Sequence, residues 1–166
     1  MPWTIGRVIE IRRVPGDDPE AVAMVAAMES EVQAALGPMT PERTSTVAPT
    51  EMVPPAGWFV LLCVDGAVVA GGGVRRLSAG VGEIKRMYVL PEHRGRGLGR
   101  ALLEGLEAAA AALGYARVRL DTAASMDAAL ALYGRAGYRA IPDYNGNSYA
   151  SFWGEKALAP GRTAAG

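Results

Sequence analysis

Residues 92–103 read EHRGRGLGRALL, crowding three glycines and three arginines into the approach to a helix. A glycine inside a helix costs about 1 kcal/mol relative to alanine, so the crowding calls for a physical reason. Glycine lets a ligand reach the backbone without meeting a side chain. A helix start presents N–H groups without partners and the positive end of the helix dipole. Arg94, Arg96 and Arg100 add charge-assisted donors. Together these features suit an anion such as a phosphate. The alternative is a tight strand-to-helix turn whose arginines only face solvent.

Two well-known phosphate loops fail on counting. The dinucleotide fingerprint needs glycine at its sixth place, which, counted from Gly95, holds Arg100. The nucleoside triphosphate loop needs Gly-Lys followed by Ser or Thr, and the chain has no Gly-Lys pair.

The elements that must position this turn are legible around it. Residues 4–14 alternate as a strand, and Asp17 and Asp18 before Pro19 cap a helix that runs to about Leu36. Val22, Val25 or Ala26, Glu29 and Val32 or Gln33 mark the turns of that helix, and Gly37 ends it. Residues 37–57 are rich in proline and threonine and predict a loop with at most one short helical turn. A loop of this length is either a lid beside a site or a plain connection.

WFVLLCV at 58–64 is a buried strand, and Asp65-Gly66 predicts a hairpin back through AVVAGGGVRRL. Gly71-Gly72-Gly73 predicts a bulge or a close backbone approach in the returning strand. VGEIKRMYV at 81–89 completes an antiparallel meander. After the glycine turn, Leu98, Leu102, Leu106, Ala109 and Leu113 recur at helical spacing, and Gly114 ends the helix. RVRLDT at 117–122 is a strand. A helix over about 126–136 carries Met126, Leu130 and Tyr133 on one face, with Gly137 as its stop. YRAI and a stretch near SFWGEKAL supply the last strands, and the tail from Pro160 is expected to fray. The order predicts one α/β (α+β) domain, residues 1–159, with a mixed sheet.

Bulk composition excludes several classes. The chain has 166 residues, half of them hydrophobic, with a net charge of +0 and a pI near 6.6. No broad field draws it to nucleic acid or an anionic membrane. Cys63 is the only cysteine, so neither an internal disulfide nor a cysteine zinc site is expected, and its apolar neighbours predict burial. The N-terminus lacks the apolar core of a signal peptide, and no run reaches the roughly 18 residues of a membrane span. A cytoplasmic protein without a metal is the expectation.

The glycine turn and its surroundings resemble the GNAT superfamily of N-acetyltransferases. Arg94-Gly95-Arg96-Gly97-Leu98-Gly99 fits that family's Arg/Gln-x-x-Gly-x-Gly/Ala pattern. EIKRMYVLPEHR resembles its fourth strand, and DAALALYGRAGYRAI its second cofactor motif. The resemblance covers roughly residues 58–158; residues 1–57 match in element order only. It implies a mixed, mostly antiparallel sheet, flanked by helices and splayed between strands 4 and 5.

The resemblance also implies acetyl-CoA as co-substrate and a small-molecule amine as acceptor. A protein N-terminus or lysine as acceptor, and an acyl-CoA sensor without turnover, are the alternatives. The backbone of Met87, Tyr88 and Val89 would pair with the pantetheine arm, as a peptide adds to a sheet edge. The amides from Arg94 and Gly95 through Arg96, Gly97 and Leu98 to Gly99, with Arg100 nearby, would hold the pyrophosphate. Met126 stands where relatives often carry asparagine; it can pack on the arm but makes no amide hydrogen bond.

Tyr133 occupies the place of the family's general acid, although it also fits as a core aromatic. With tyrosine near 10 and a thiol near 8.5, full proton transfer is uphill by roughly 2 kcal/mol. A hydrogen bond to the leaving sulfur is the safer expectation. Glu83 stands where relatives carry a carboxylate base acting through water, or it is a surface partner of Lys85 or Arg86. His93 reads as a loop residue, and Asp121 as either acceptor-side lining or a turn cap. A homodimer is compatible with the resemblance.

Overall fold

The computed structural model describes residues 6–38, 47–122 and 127–160. The start of the first predicted strand, residues 39–46 of the long loop, Met126 and the tail beyond Pro160 lie outside the described residues. Seven strands form one sheet: β1 (Ile9–Val14), β2 (Trp58–Val64), β3 (Ala67–Ser78), β4 (Val81–Val89), β5 (Arg117–Thr122), β6 (Arg139–Ala140) and β7 (Phe152–Ala157). Among the described residues three α-helices accompany them: α1 (Pro19–Leu36), α2 (Leu98–Ala112) and α3 (Asp127–Arg135). The sheet order is β1-β2-β3-β4-β5-β7-β6. Every pair is antiparallel except β4–β5, which is parallel.

The period-2 rule of a strand divides the core in two. Phe59 and Leu61 of β2 point to a cluster with Ala21 and Met24 of α1. Val60 and Leu62 point to the opposite face, against Leu102, Leu106 and Ala109 of α2. Asp18 caps α1 by accepting from the Glu20 amide at 2.9 Å, and Gly37 follows its end with φ 83°.

The buried face of α1 differs in phase from the sequence reading. Ala21 and Met24 are buried, whereas Val22 is 47% exposed. The helix is rich in alanine, and small apolar residues on all sides leave the face to be chosen by packing.

Asp65 and Gly66 both take positive φ, 49° and 85°, as a two-residue hairpin turn demands. The long connection is packed where it is described. Met52 is 2% exposed and lies beneath Gly73, where a Cβ would collide with its sulfur. Val47 and Met52 therefore anchor residues 47–57 in the core, while Ala48, Pro49, Thr50, Pro54 and Pro55 stay exposed. Cys63 is buried, as expected.

The strand order holds one arrangement the sequence did not show. β7, the last strand, lies between β5 and β6, and pairs with β5 over all six residues from Arg117↔Ala157 to Thr122↔Phe152.

Candidate functional site

β4 and β5 are paired only over Val81–Glu83 and Arg117–Arg119. β5 stays with β7, while β4 stays with β3 and bends. The bend is a bulge: Gly71 pairs with Tyr88 and Gly73 with Lys85, so Gly72 faces both Arg86 and Met87. Arg86 takes φ 61°, a conformation costly to a side-chain-bearing residue. Its guanidinium donates to Glu29 at 2.9 Å and to the Val47 carbonyl at 3.2 Å, which holds the bulge to α1 and the loop. A Cβ on Gly72 would lie 3.2 Å from the Met87 Cα, so the predicted close approach is real.

Beyond the pairing the strands part into a cleft of about 950 Å3. The second half of β4 forms one wall, and Leu120–Thr122 with α3 the other. The C-terminal half of α1 contributes Met28, Val32 and Ala35, and the glycine turn closes one end.

At that end Gly95 and Gly97 have φ 76° and 77°, and a Cβ on either would meet nothing within 4 Å. Gly97 is the cap of α2, with no side-chain bond to the first-turn amides. Those amides have no acceptor within the helix. Arg100 lines the cleft and pairs with Glu104 at 3.2 Å, while Arg96 is exposed and outside the lining. Arg94 is committed elsewhere. It makes two bonds to Glu31 of α1, at 2.8 and 2.6 Å, and its Nε donates to the Val89 carbonyl at 3.0 Å. Its charge also sits 5.3 Å over the Tyr88 ring. Arg94 first, then Tyr88, holds the Glu31 carboxyl down to about 2.

Tyr133 projects from α3 to the middle of the split, 7% exposed, with its ring edge-on to Tyr138. Its hydroxyl donates to the sulfur of Met87 at 3.8 Å, so two sequence-predicted residues from separate motifs meet. Burial, and then the charge of Asp121, pushes Tyr133 up to about 12.

Glu83 is not the surface partner one sequence reading allowed. It is fully buried and stands outside the cleft lining. Its Oε1 accepts from Arg75 Nε at 2.9 Å, its Oε2 accepts from Tyr144 at 2.7 Å, and Lys85 lies 3.6 Å away. Arg86, the other suggested partner, pairs with Glu29 instead.

Asp121 does reach the cleft. It accepts from Lys85 at 3.0 Å, from Asn145 at 2.6 Å and from Asn147 at 3.1 Å. Burial alone would raise its pKa, but these three donors outweigh it and hold the carboxyl below its usual value. Sequence reasoning missed Asn145 and Asn147, because nothing local shows that their amides fold back on β5. His93 lines the cleft. Among the described residues no cluster suits a metal, and no helix is long and apolar enough to cross a membrane.

Comparison with known proteins agrees with this geometry. Residues 24–138 match the acetyltransferase (GNAT) family. The chain is 31% identical over 144 residues to the uncharacterised N-acetyltransferase YjgM of Escherichia coli, spanning 81% of this chain and 83% of that one. In structure it resembles an acetyltransferase of the GNAT family from Staphylococcus aureus, with a TM-score of 0.72 at 15% identity over 92% of this chain and 100% of the other. It also resembles the PaiA N-acetyltransferase of Thermoplasma acidophilum, solved with coenzyme A, with a TM-score of 0.66 at 20% identity over 91% and 99% of the two chains.

Proposed function

The chain belongs to the acetyltransferase (GNAT) family, and on that premise we propose that it moves an acetyl group from acetyl-CoA to the primary amine of a small molecule, by direct attack in a ternary complex. One observation carries the reading: a single cleft joins the glycine turn at the start of α2 to the Tyr133 hydroxyl at the β4–β5 split.

The residues present fit coenzyme A. Gly95 and Gly97 leave open space over backbone amides, which suits a pyrophosphate. β4 beyond Glu83 has no ladder partner on its β5 side, which suits the amide-bearing pantetheine arm. Arg94 has its side chain clasped to Glu31 and its amide donating to the Pro91 carbonyl at 3.3 Å, so it braces the turn while the amides from Gly95 onward meet the ligand, and Val89 already shares its carbonyl with Arg94. Arg100 lines the cleft beside the turn, held on one side by Glu104.

Acetyl-CoA supplies an activated thioester. The neutral amine nitrogen attacks its carbonyl carbon; the C–N bond forms, the C–S bond breaks, and the amine proton leaves to solvent. Tyr133 stabilises the departing sulfur. Its hydroxyl already faces a sulfur atom, that of Met87. With Tyr133 at about 12 and a thiol near 8.5, full transfer of its proton is uphill by about 5 kcal/mol. Tyr133 therefore acts as a hydrogen-bond donor, and solvent protonates the thiolate. A base role for Glu83 requires Tyr144 to leave Oε2, or a water to bridge past Lys85.

Thermal unfolding with acetyl-CoA tests the binding half of the reading. Ligand at 100 times its dissociation constant adds about 2.7 kcal/mol of stability. Release of free thiol in the presence of a primary amine tests transfer. Absence of any acetyl-CoA-dependent rise in Tm sinks both.

A further inference from the structure

Five ionised side chains run with alternating sign across the α1-bearing face of the sheet. Glu51 meets Arg75 at 2.9 Å, and Arg75 meets Glu83 at 2.9 Å. Glu83 lies 3.6 Å from Lys85, which meets Asp121 at 3.0 Å. The chain begins and ends in a carboxylate, so it carries one more negative than positive charge. The Glu51 end is 40% exposed and is balanced by solvent. The Asp121 end is only 6% exposed and opens on the cleft that Tyr133 also lines.

Asp121 divides its three donors unevenly between its two oxygens. Oδ2 accepts from both Asn145 and Asn147, whereas Oδ1 accepts from Lys85 alone. An ionised carboxylate offers about four acceptor positions; protein donors take two on Oδ2 and one on Oδ1. The other cleft-lining carboxylate among the described residues, Glu31, is clasped by Arg94 near the glycine turn. Glu83 is closed off by Arg75 and Tyr144.

Resting on the function proposed above, we propose that Asp121 is the docking site for the acceptor's nitrogen, so that the acceptor is a cationic primary amine whose ammonium completes the alternating chain. The ammonium binds Oδ1, loses one proton to solvent, and attacks as the neutral amine. The amide formed carries no charge, so the product loses its pairing with Asp121 and leaves. Asn145 and Asn147 are positioning residues: they fill Oδ2 and leave Oδ1 as the atom that faces the ligand.

The test is steady-state thiol release with phenethylamine, tyramine, putrescine and spermidine, together with an inhibitor pair. N,N-dimethylphenethylamine keeps the charge, and 2-phenylethanol keeps the shape without it. Asp121→Asn is expected to raise the amine KM by about ten- to a hundredfold, the range of a lost bond to a charged group. The acetyl-CoA-dependent rise in Tm should stay the same. The charged inhibitor should bind the unaltered protein at least about tenfold more tightly than the alcohol, by the same reasoning. An unchanged amine KM in Asp121→Asn overturns the proposal, as does equal inhibition by the pair. So does an acetyl-CoA-binding protein that acetylates none of the four amines. Should Asp121→Asn fail to fold, the inhibitor pair decides on the unaltered protein. Absence of acetyl-CoA binding strikes the proposed function instead; calorimetric titration of the inhibitor pair into the free protein then decides the docking site by itself.

Discussion

The hydroxyl of Tyr144 donates to Oε2 of Glu83 at 2.7 Å, and so a loop between β6 and β7 is tied to a fully buried carboxylate on β4. Glu83 also holds Arg75 and lies beside Lys85, so it joins three separate segments. Removing the charge of one partner in a buried ionic cluster costs about 3–5 kcal/mol. Glu83→Gln is expected to lose stability at the lower end of that range, measured by urea unfolding. Tyr144→Phe should lose less, about 1–2 kcal/mol, for an unsatisfied buried acceptor. If Glu83 were instead a lightly held base, Glu83→Gln would leave the urea midpoint unchanged and abolish the acidic limb of the rate profile.

Tyr133→Phe should lower kcat by about 10²-fold, at the low end of general acid assistance, because a hydrogen bond rather than a proton is removed. Acetyl-CoA binding should persist, since the packing of the ring on Tyr138 is kept. With Tyr133 pushed up to about 12, the unaltered enzyme should show no tyrosine limb in kcat up to about pH 11. A limb near pH 10 that vanishes in Tyr133→Phe would show an exposed, ordinary tyrosine.

Gly97 and Gly99 separate folding from binding. Gly97 has φ 77°, so any side chain there strains the backbone by roughly 1–2 kcal/mol whether or not a ligand binds. Gly99 lies within α2, and a Cβ there meets only Leu132 at an ordinary 3.5 Å. Gly99→Leu should therefore keep its Tm while losing most of the acetyl-CoA-dependent rise. Equal loss of stability and binding in Gly99→Leu would make the turn a structural feature alone.

Acid should loosen the β5–β6–β7 end. Arg139, followed by Arg119 and Arg117, holds the Glu155 carboxyl down to about 2, from an ordinary 4.5. A depressed carboxyl contributes stability that is present above about pH 4.5 and is lost as pH falls towards 2. Screening of the exposed arginines reduces this contribution to about 1–2 kcal/mol. Glu155→Gln should flatten that part of the stability curve, measured from pH 6 down to about pH 3 by urea unfolding.

Alkali should loosen the opposite side of the titration. Burial first, and then Glu107 and Glu83 respectively, raises Tyr138 and Tyr144, and burial raises Tyr133 as well. The unfolded chain ionises its tyrosines near pH 10, so stability is complete below that value and falls as pH rises beyond it. Urea midpoints between about pH 8 and 11 check the slope, and Tyr144→Phe should reduce it.

Local chemistry made much of this protein legible in one dimension. Asp18-Pro19 and Gly37 bracket α1, Asp65-Gly66 makes the hairpin, and the leucine spacing makes α2, because caps, turns and helical faces depend on near neighbours. The glycine turn was legible for the same reason: positive φ at Gly95 and Gly97 is a property of the residue type. The alanine-rich α1 hid its buried face, since its composition differs little from side to side.

What the sequence by itself determined, then, was the set of elements and the presence of a glycine turn and a candidate tyrosine on either side of β5. Tertiary structure alone decided that β7 slides between β5 and β6, and that β4 turns away from β5 at the bulge opposite Gly72. It also decided which carboxylate faces the cleft. Glu83 and Asp121 are alike as residue types, but Tyr144 and Arg75 close the first outside the cleft, while the second, held by Lys85, Asn145 and Asn147, lines it. Those partners lie between 2 and 61 residues away along the chain, and for all but Lys85 beside Glu83 only the folded sheet brings them together.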